Sequence, residues 1–149
     1  MLNAFKYASH LKEFESDTVY RQVSLRKEYA NEYNLGRLKY FSWFSFTSTS
    51  TNKAKTERFG MSNDPNKITV LFTIKFSPTK IQHEMLNLKT VATFDENEYL
   101  IRPGSIFELI SSKYDKKQEK IFIELRLLSE DEFRFVKDDY YGKFMQMEA

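Results

Sequence analysis

Two glutamates two residues apart, Glu96 and Glu98, stand in the segment Asp95-Glu96-Asn97-Glu98-Tyr99-Leu100-Ile101. An extended chain alternates its side chains, so both carboxylates fall on one face. At roughly 3.3 Å per residue they lie about 7 Å apart along the strand. That spacing lets one carboxylate steady a developing cation while the other handles an incoming nucleophile. Upstream, Trp43-Phe44-Ser45-Phe46-Thr47-Ser48-Thr49-Ser50 is an aromatic run ending in hydroxyls. A hydroxyl at a strand end can fix the rotamer of a nearby carboxylate. Further upstream, Arg21 lies between Val19 and Val23 in TVYRQV. An arginine on an inward face needs a partner, and a guanidinium can grip a phosphate pair bidentately. Each feature also has a plainer use: a solvated strand edge, a polar strand terminus, a structural ion pair. Taken singly, each is more often that plainer thing.

The elements that must position these residues follow from periodicity. Residues 2–15 space Leu2, Phe5, Leu11 and Phe14 on one helical face, and Ser16 and Asp17 break it. Residues 18–23 read as a strand with Val19, Arg21 and Val23 on one face. Ser24 can cap a helix over 25–33, with Leu25 and Tyr29 four apart and Gly36 beyond its end. Residues 40–49 read as one strand, and Thr51 or Asn52 caps a short helix through Phe59. Residues 60–67, GMSNDPNK, read as a loop. Residues 68–76 alternate, with Ile68, Val70, Phe72, Ile74 and Phe76 on one face. Residues 82–95 are ambiguous between a helical turn and a loop. Strands are expected at 99–101, 105–110 and 120–128, with Pro103-Gly104 turning between the first two, and one more strand at 130–136. Helices come early, strands late, and no βαβ rhythm appears. The expected class is α+β with mainly antiparallel pairing.

Composition narrows the chemistry. The 149 residues make a single domain, 1–149. Absence of cysteine excludes disulfides, thiolate-ligated metals and thiol nucleophiles together. A net charge of +2 is not a nucleic-acid footprint. The basic stretch 113–120 is interrupted by Asp115 and Glu119 and reads as a solvated turn. No apolar run reaches about 18 residues, so no membrane-spanning segment is expected. Residues 1–10 lack the apolar centre of a signal peptide. His10 and His83 have no ligand spacing, so no metal is expected, and the 14 Phe point to an aromatic core.

The three features gain weight from their order. An arginine in a strand, an aromatic strand ending in Ser48-Thr49-Ser50, and Glu96-Asn97-Glu98 opening a strand before Pro103-Gly104 resemble the arginine-specific mono-ADP-ribosyltransferase family. That family includes secreted bacterial toxins and animal surface enzymes. The resemblance covers residues 18–128. It implies an ADP-ribosyltransferase fold, antiparallel sheets around an NAD⁺ cleft. It also implies transfer of ADP-ribose from NAD⁺ to an arginine of a target protein, with release of nicotinamide. Arg21 would hold the NAD⁺ phosphates and brace the cleft. Ser48 would position Glu98, with Thr49 and Ser50 beside it. Glu98 would bind the nicotinamide-ribose hydroxyl and stabilise the ribosyl cation. Glu96 would engage the target guanidinium. Arg58 and Phe59 would contact the dinucleotide where the loop 60–67 closes over it.

The chain departs from the family in places. Glycine often follows the strand arginine, where backbone grips the nicotinamide amide; here Gln22 stands, with its N–H and C=O still available. Animal surface members carry disulfides and this chain has none, which favours a cytoplasmic enzyme or one delivered into a host cytosol. Its short N-terminal part is expected of an excised catalytic domain. An NAD⁺ glycohydrolase, or an inactive copy serving as a binding module, stays open beside the transferase. No nucleic-acid partner is expected, since nucleic-acid-modifying relatives more often have Gln where Glu96 stands.

Overall fold

The computed structural model describes residues 16–34, 39–81, 83–88 and 97–136. In chain order the elements are β1 (Thr18–Arg26), α1 (Lys27–Ala30), β2 (Tyr40–Trp43), β3 (Thr47–Ser50), α2 (Lys53–Thr56) and β4 (Lys67–Lys75). There follow β5 (Met85–Asn87), β6 (Glu98–Ile101), β7 (Ser105–Asp115), β8 (Lys120–Leu128) and α3 (Glu130–Val136). The eight strands form one sheet in the order β2-β7-β8-β4-β1-β3-β6-β5. Every described pairing is antiparallel except β4 with β8, which is parallel. This is the expected α+β architecture.

The core gathers on β4 and its neighbours. Val70, Phe72 and Ile74 alternate inward as their spacing predicts and are fully buried. Leu71 is buried too, because the sheet centre is covered on both faces. Trp43 packs on Phe107 and Phe72 at 4.5 and 5.1 Å between ring centroids. Its indole N–H donates to the Tyr33 hydroxyl at 2.9 Å, so the buried polar tip is satisfied.

Several expectations change. The helix over 25–33 shrinks to α1, because Ser24, Leu25 and Arg26 pair with Thr69, Ile68 and Lys67 and extend β1. Ladder bonds outweigh the weak preference for a helix there. The single strand over 40–49 is two, broken at Phe44–Phe46: Trp43 pairs with Ser105, whereas Thr47 pairs with Ile101. The chain thus crosses from one side of the sheet to the other between these residues. The expected strand at 130–136 is instead the helix α3. Ser129 Oγ accepts the Glu132 N–H at 3.1 Å, and Glu132 Oε1 accepts the Ser129 N–H at 3.3 Å, a reciprocal cap. Nor is Lys120 solvated. It is buried, and its Nζ donates to Glu57 Oε2 at 2.8 Å. Within 82–95, read as helical turn or loop, Met85–Asn87 is the strand β5, paired with Tyr99–Ile101. The expected helix over 2–15, His10, and residues 82 and 89–95 lie outside the described residues.

The sheet has one thinly joined seam. β1 and β4 run paired from Thr18↔Lys75 to Arg26↔Lys67, whereas β1 and β3 share the single pair Tyr20↔Ser50. The sheet opens there.

Candidate functional site

A cavity of about 560 Å³ occupies this opening. That is within the size range of small-molecule and cofactor sites. β1 lines it with residues Tyr20 to Leu25, so Arg21 and Gln22 are both in its wall. β3 contributes Ser48, Thr49 and Ser50, and β6 contributes Glu98. Lys55, Thr56, Phe59 and Gly60 close it from α2 and the turn beyond.

β1 carries Arg21 mid-strand, where full pairing with β4 fixes its backbone. Its Nη1 donates to the Ser48 carbonyl at 3.1 Å, tying the two sides of the seam together. Burial lowers the guanidinium's proton affinity, and Tyr33 opposes this in part. A guanidinium still keeps its charge at physiological pH. The expected alternation along β1 is altered: Val19, Gln22 and Leu25 are the buried positions, and Arg21 is half-buried. Gln22 is buried because the turn after α2 lies against it. Its Nε2 donates to the Glu57 and Phe59 carbonyls at 3.0 and 2.7 Å.

β3 and β6 place the hydroxyls beside the carboxylate. Ser50 pairs with Glu98 and Ser48 with Leu100, so period two puts Ser48, Ser50 and Glu98 on one face. Ser48 is the diagonal neighbour of Glu98, within reach of a side-chain contact. Ser50 Oγ accepts the Asn52 N–H at 3.0 Å, so it serves the turn into α2, whereas Ser48 is exposed. On the other face, Thr49 Oγ1 donates to the Tyr99 carbonyl at 2.7 Å, and the Thr51 N–H donates to the Asn97 carbonyl at 2.9 Å. Glu98 is therefore mounted on a locked strand start.

α2 is a single turn, and its entry is capped. Asn52 Oδ1 accepts the Lys55 N–H at 3.0 Å. Phe59 lines the cavity and is 60% exposed, an apolar ring left open to a ligand. Arg58, expected to contact the dinucleotide, is exposed and does not line the cavity. The turn that brings Phe59 to the cavity leaves the preceding side chain outside. Glu96 lies outside the described residues. Tyr20, Lys55 and Thr56 line the cavity without having been given a site role in the sequence, and of the loop 60–67 expected over the dinucleotide only Gly60 lines it. Among the described residues, no three His, Asp or Glu side chains gather as a metal site. No helix among them is long and apolar enough to cross a membrane.

No family model and no curated protein sequence matches the chain. Solved structures do. The ADP-ribosyltransferase Vis of Vibrio splendidus, in complex with agmatine, superposes with a TM-score of 0.63 at 20% identity, covering 87% of this chain. The Salmonella SpvB domain gives 0.60 at 22% identity, covering 86% of this chain and 70% of that one. Exoenzyme S from Pseudomonas aeruginosa, bound to carba-NAD, gives 0.56 at 15% identity over 85% of this chain and 54% of its own. The chain spans 57% of the length of the Vis chain it matches. The eight-stranded sheet opened at the β1–β3 seam is thus an ADP-ribosyltransferase fold.

Proposed function

We propose that the chain transfers ADP-ribose from NAD⁺ to an arginine side chain of a target protein and releases nicotinamide. The observation that carries this reading is the convergence of Arg21, Ser48-Thr49-Ser50 and Glu98, from three strands, on one cavity in an ADP-ribosyltransferase fold. Arg21 holds the NAD⁺ phosphates, and the Gln22 backbone faces the nicotinamide amide. Ser48 orients Glu98, and Phe59 covers the dinucleotide. Nicotinamide leaves with the electron pair of its ribosyl bond, so positive charge grows on the ribose. A fixed carboxylate at Glu98 stabilises that charge more than it stabilises bound substrate. An arginine nitrogen then bonds to the ribose carbon, and Glu96 accepts the proton it sheds. Agmatine, the compound bound in the Vis structure, is a guanidine small enough to test the acceptor step.

The test is incubation with labelled NAD⁺ and agmatine, with nicotinamide release followed in parallel. Transfer is expected for the unaltered chain. Glu96→Gln should depress the ratio of agmatine labelled to nicotinamide released, because water needs no partner to orient a guanidinium. A ratio unchanged by the substitution would overturn the role given to Glu96. Free ADP-ribose with no labelled agmatine from the unaltered chain would make it an NAD⁺ glycohydrolase.

A further inference from the structure

The side chain of Gln22 does something its backbone does not. It is only 6% exposed, and its Nε2 reaches two carbonyls of one turn, Glu57 at 3.0 Å and Phe59 at 2.7 Å. Carbonyls at a helix C-terminus lack partners within the helix, and these two follow directly on α2. Gln22 Oε1 is buried and has no hydrogen-bond partner among the described residues. The side chain is therefore held for its two donors, against the cost of a stranded acceptor.

Two independent contacts press the same turn onto the sheet. Gly60 has φ +70°, and a Cβ there would stand 2.6 Å from Val23 Cα and 2.7 Å from the Gln22 carbonyl oxygen. Only glycine allows so close an approach of backbone to backbone. Glu57 Oε2, at the other end of the turn, accepts from buried Lys120 Nζ at 2.8 Å.

We propose that Gln22 is a positioning residue: its side chain clamps the Glu57–Gly60 turn against β1 and so holds Phe59 in the cavity wall. The turn is set before any ligand arrives, and binding need not order it. The consequence for substrate rests on the reading of the cavity as an NAD⁺ site. The clamp itself does not.

Amide exchange on the intact chain tests the clamp without ligand, and calorimetry with NAD⁺ tests its purpose. Gln22→Met keeps the side-chain length, removes the stranded acceptor and deletes both donors. Exchange of the Arg58, Phe59 and Gly60 amides should rise about tenfold or more, since two hydrogen bonds are lost, with β4 and β8 unchanged. NAD⁺ affinity should fall by about the same factor. Gln22→Lys, which again offers donors to the two carbonyls, should recover much of both. Gly60→Ala attacks the turn from the other side and should loosen it in the same way, should Gln22→Met fail to fold. Unchanged exchange in Gln22→Met would overturn the clamp. Faster exchange with unchanged affinity would overturn its positioning role. Failure of the unaltered chain to bind NAD⁺ would overturn the proposed function, while the exchange result would still decide the clamp.

Discussion

Glu98 is the residue on which the proposed chemistry turns. It opens β6, pairs with Ser50 and faces the cavity. Glu98→Gln keeps the shape and hydrogen-bonding ends but removes the charge that would face a ribosyl cation. Transfer and NAD⁺ hydrolysis share that cation, so both should fall together, by about 3 kcal/mol in barrier or more. Single-turnover rates on the folded variant check this, and near-normal hydrolysis would remove Glu98 from the centre of the site. What marked this residue in the sequence was the order of Arg21, Ser48-Thr49-Ser50 and Glu96-Asn97-Glu98. Alternation alone fits a solvated strand edge, and the shared face with Ser48 and Ser50 follows from the register Ser50↔Glu98. The choice of Ser48 over Ser50 came from the resemblance; in the structure Ser50 Oγ accepts the Asn52 N–H. The sequence could not place Arg58, whose exclusion from the cavity depends on how the turn after α2 winds.

At the scale of elements, the missed helix α3 was readable. Ser129-Glu130-Asp131-Glu132 is a capping-box pattern with acidic residues in the first turn, both favourable at a helix start. Apolar alternation through Phe133 and Phe135 invited the strand reading instead. The extension of β1 through Arg26 was not readable, because it depends on β4 arriving from over forty residues away to pair with it. The same holds for the Glu57–Lys120 bond, which joins the turn after α2 to the start of β8. It makes a prediction about acid. The hydrogen bond from Lys120 holds the Glu57 carboxyl below its ordinary value, with burial opposing in part. A depressed carboxyl contributes stability above its unfolded pKa, about 4.3, and loses it as pH falls through the lower folded value. Glu57 is part-exposed, so screening keeps the contribution modest. Urea midpoints of the unaltered chain and Glu57→Gln should therefore differ near neutrality and converge below the ordinary carboxylate range. A gap that stays constant with pH would show that the ionic bond contributes nothing to the fold.

The whole molecule is a sheet joined unevenly. Nine residue pairs bind β1 to β4, but one pair binds β1 to β3, and Arg21 Nη1 on the Ser48 carbonyl is the added tie across that gap. Pairing order of this kind, and the parallel contact of β4 with β8, lie beyond any local pattern in the sequence. A ligand seated in the seam touches both parts, so binding should be visible in global stability. A ligand that binds only the folded state stabilises it by about 2.7 kcal/mol at a hundred times its Kd. Each kcal/mol moves Tm by about 2–4 °C in a domain of this size. NAD⁺ at that excess should therefore raise Tm by about 5–10 °C. Arg21→Ala removes a charge-assisted contact worth about 1.5–3 kcal/mol, or roughly ten- to a hundredfold in Kd. At the same NAD⁺ concentration the shift should shrink to about half or less. Each variant is compared with its own ligand-free Tm, so any loss of stability from breaking the Ser48 tie cancels. An equal shift in both chains would remove Arg21 from the phosphates, and no shift in either would remove NAD⁺ from the seam.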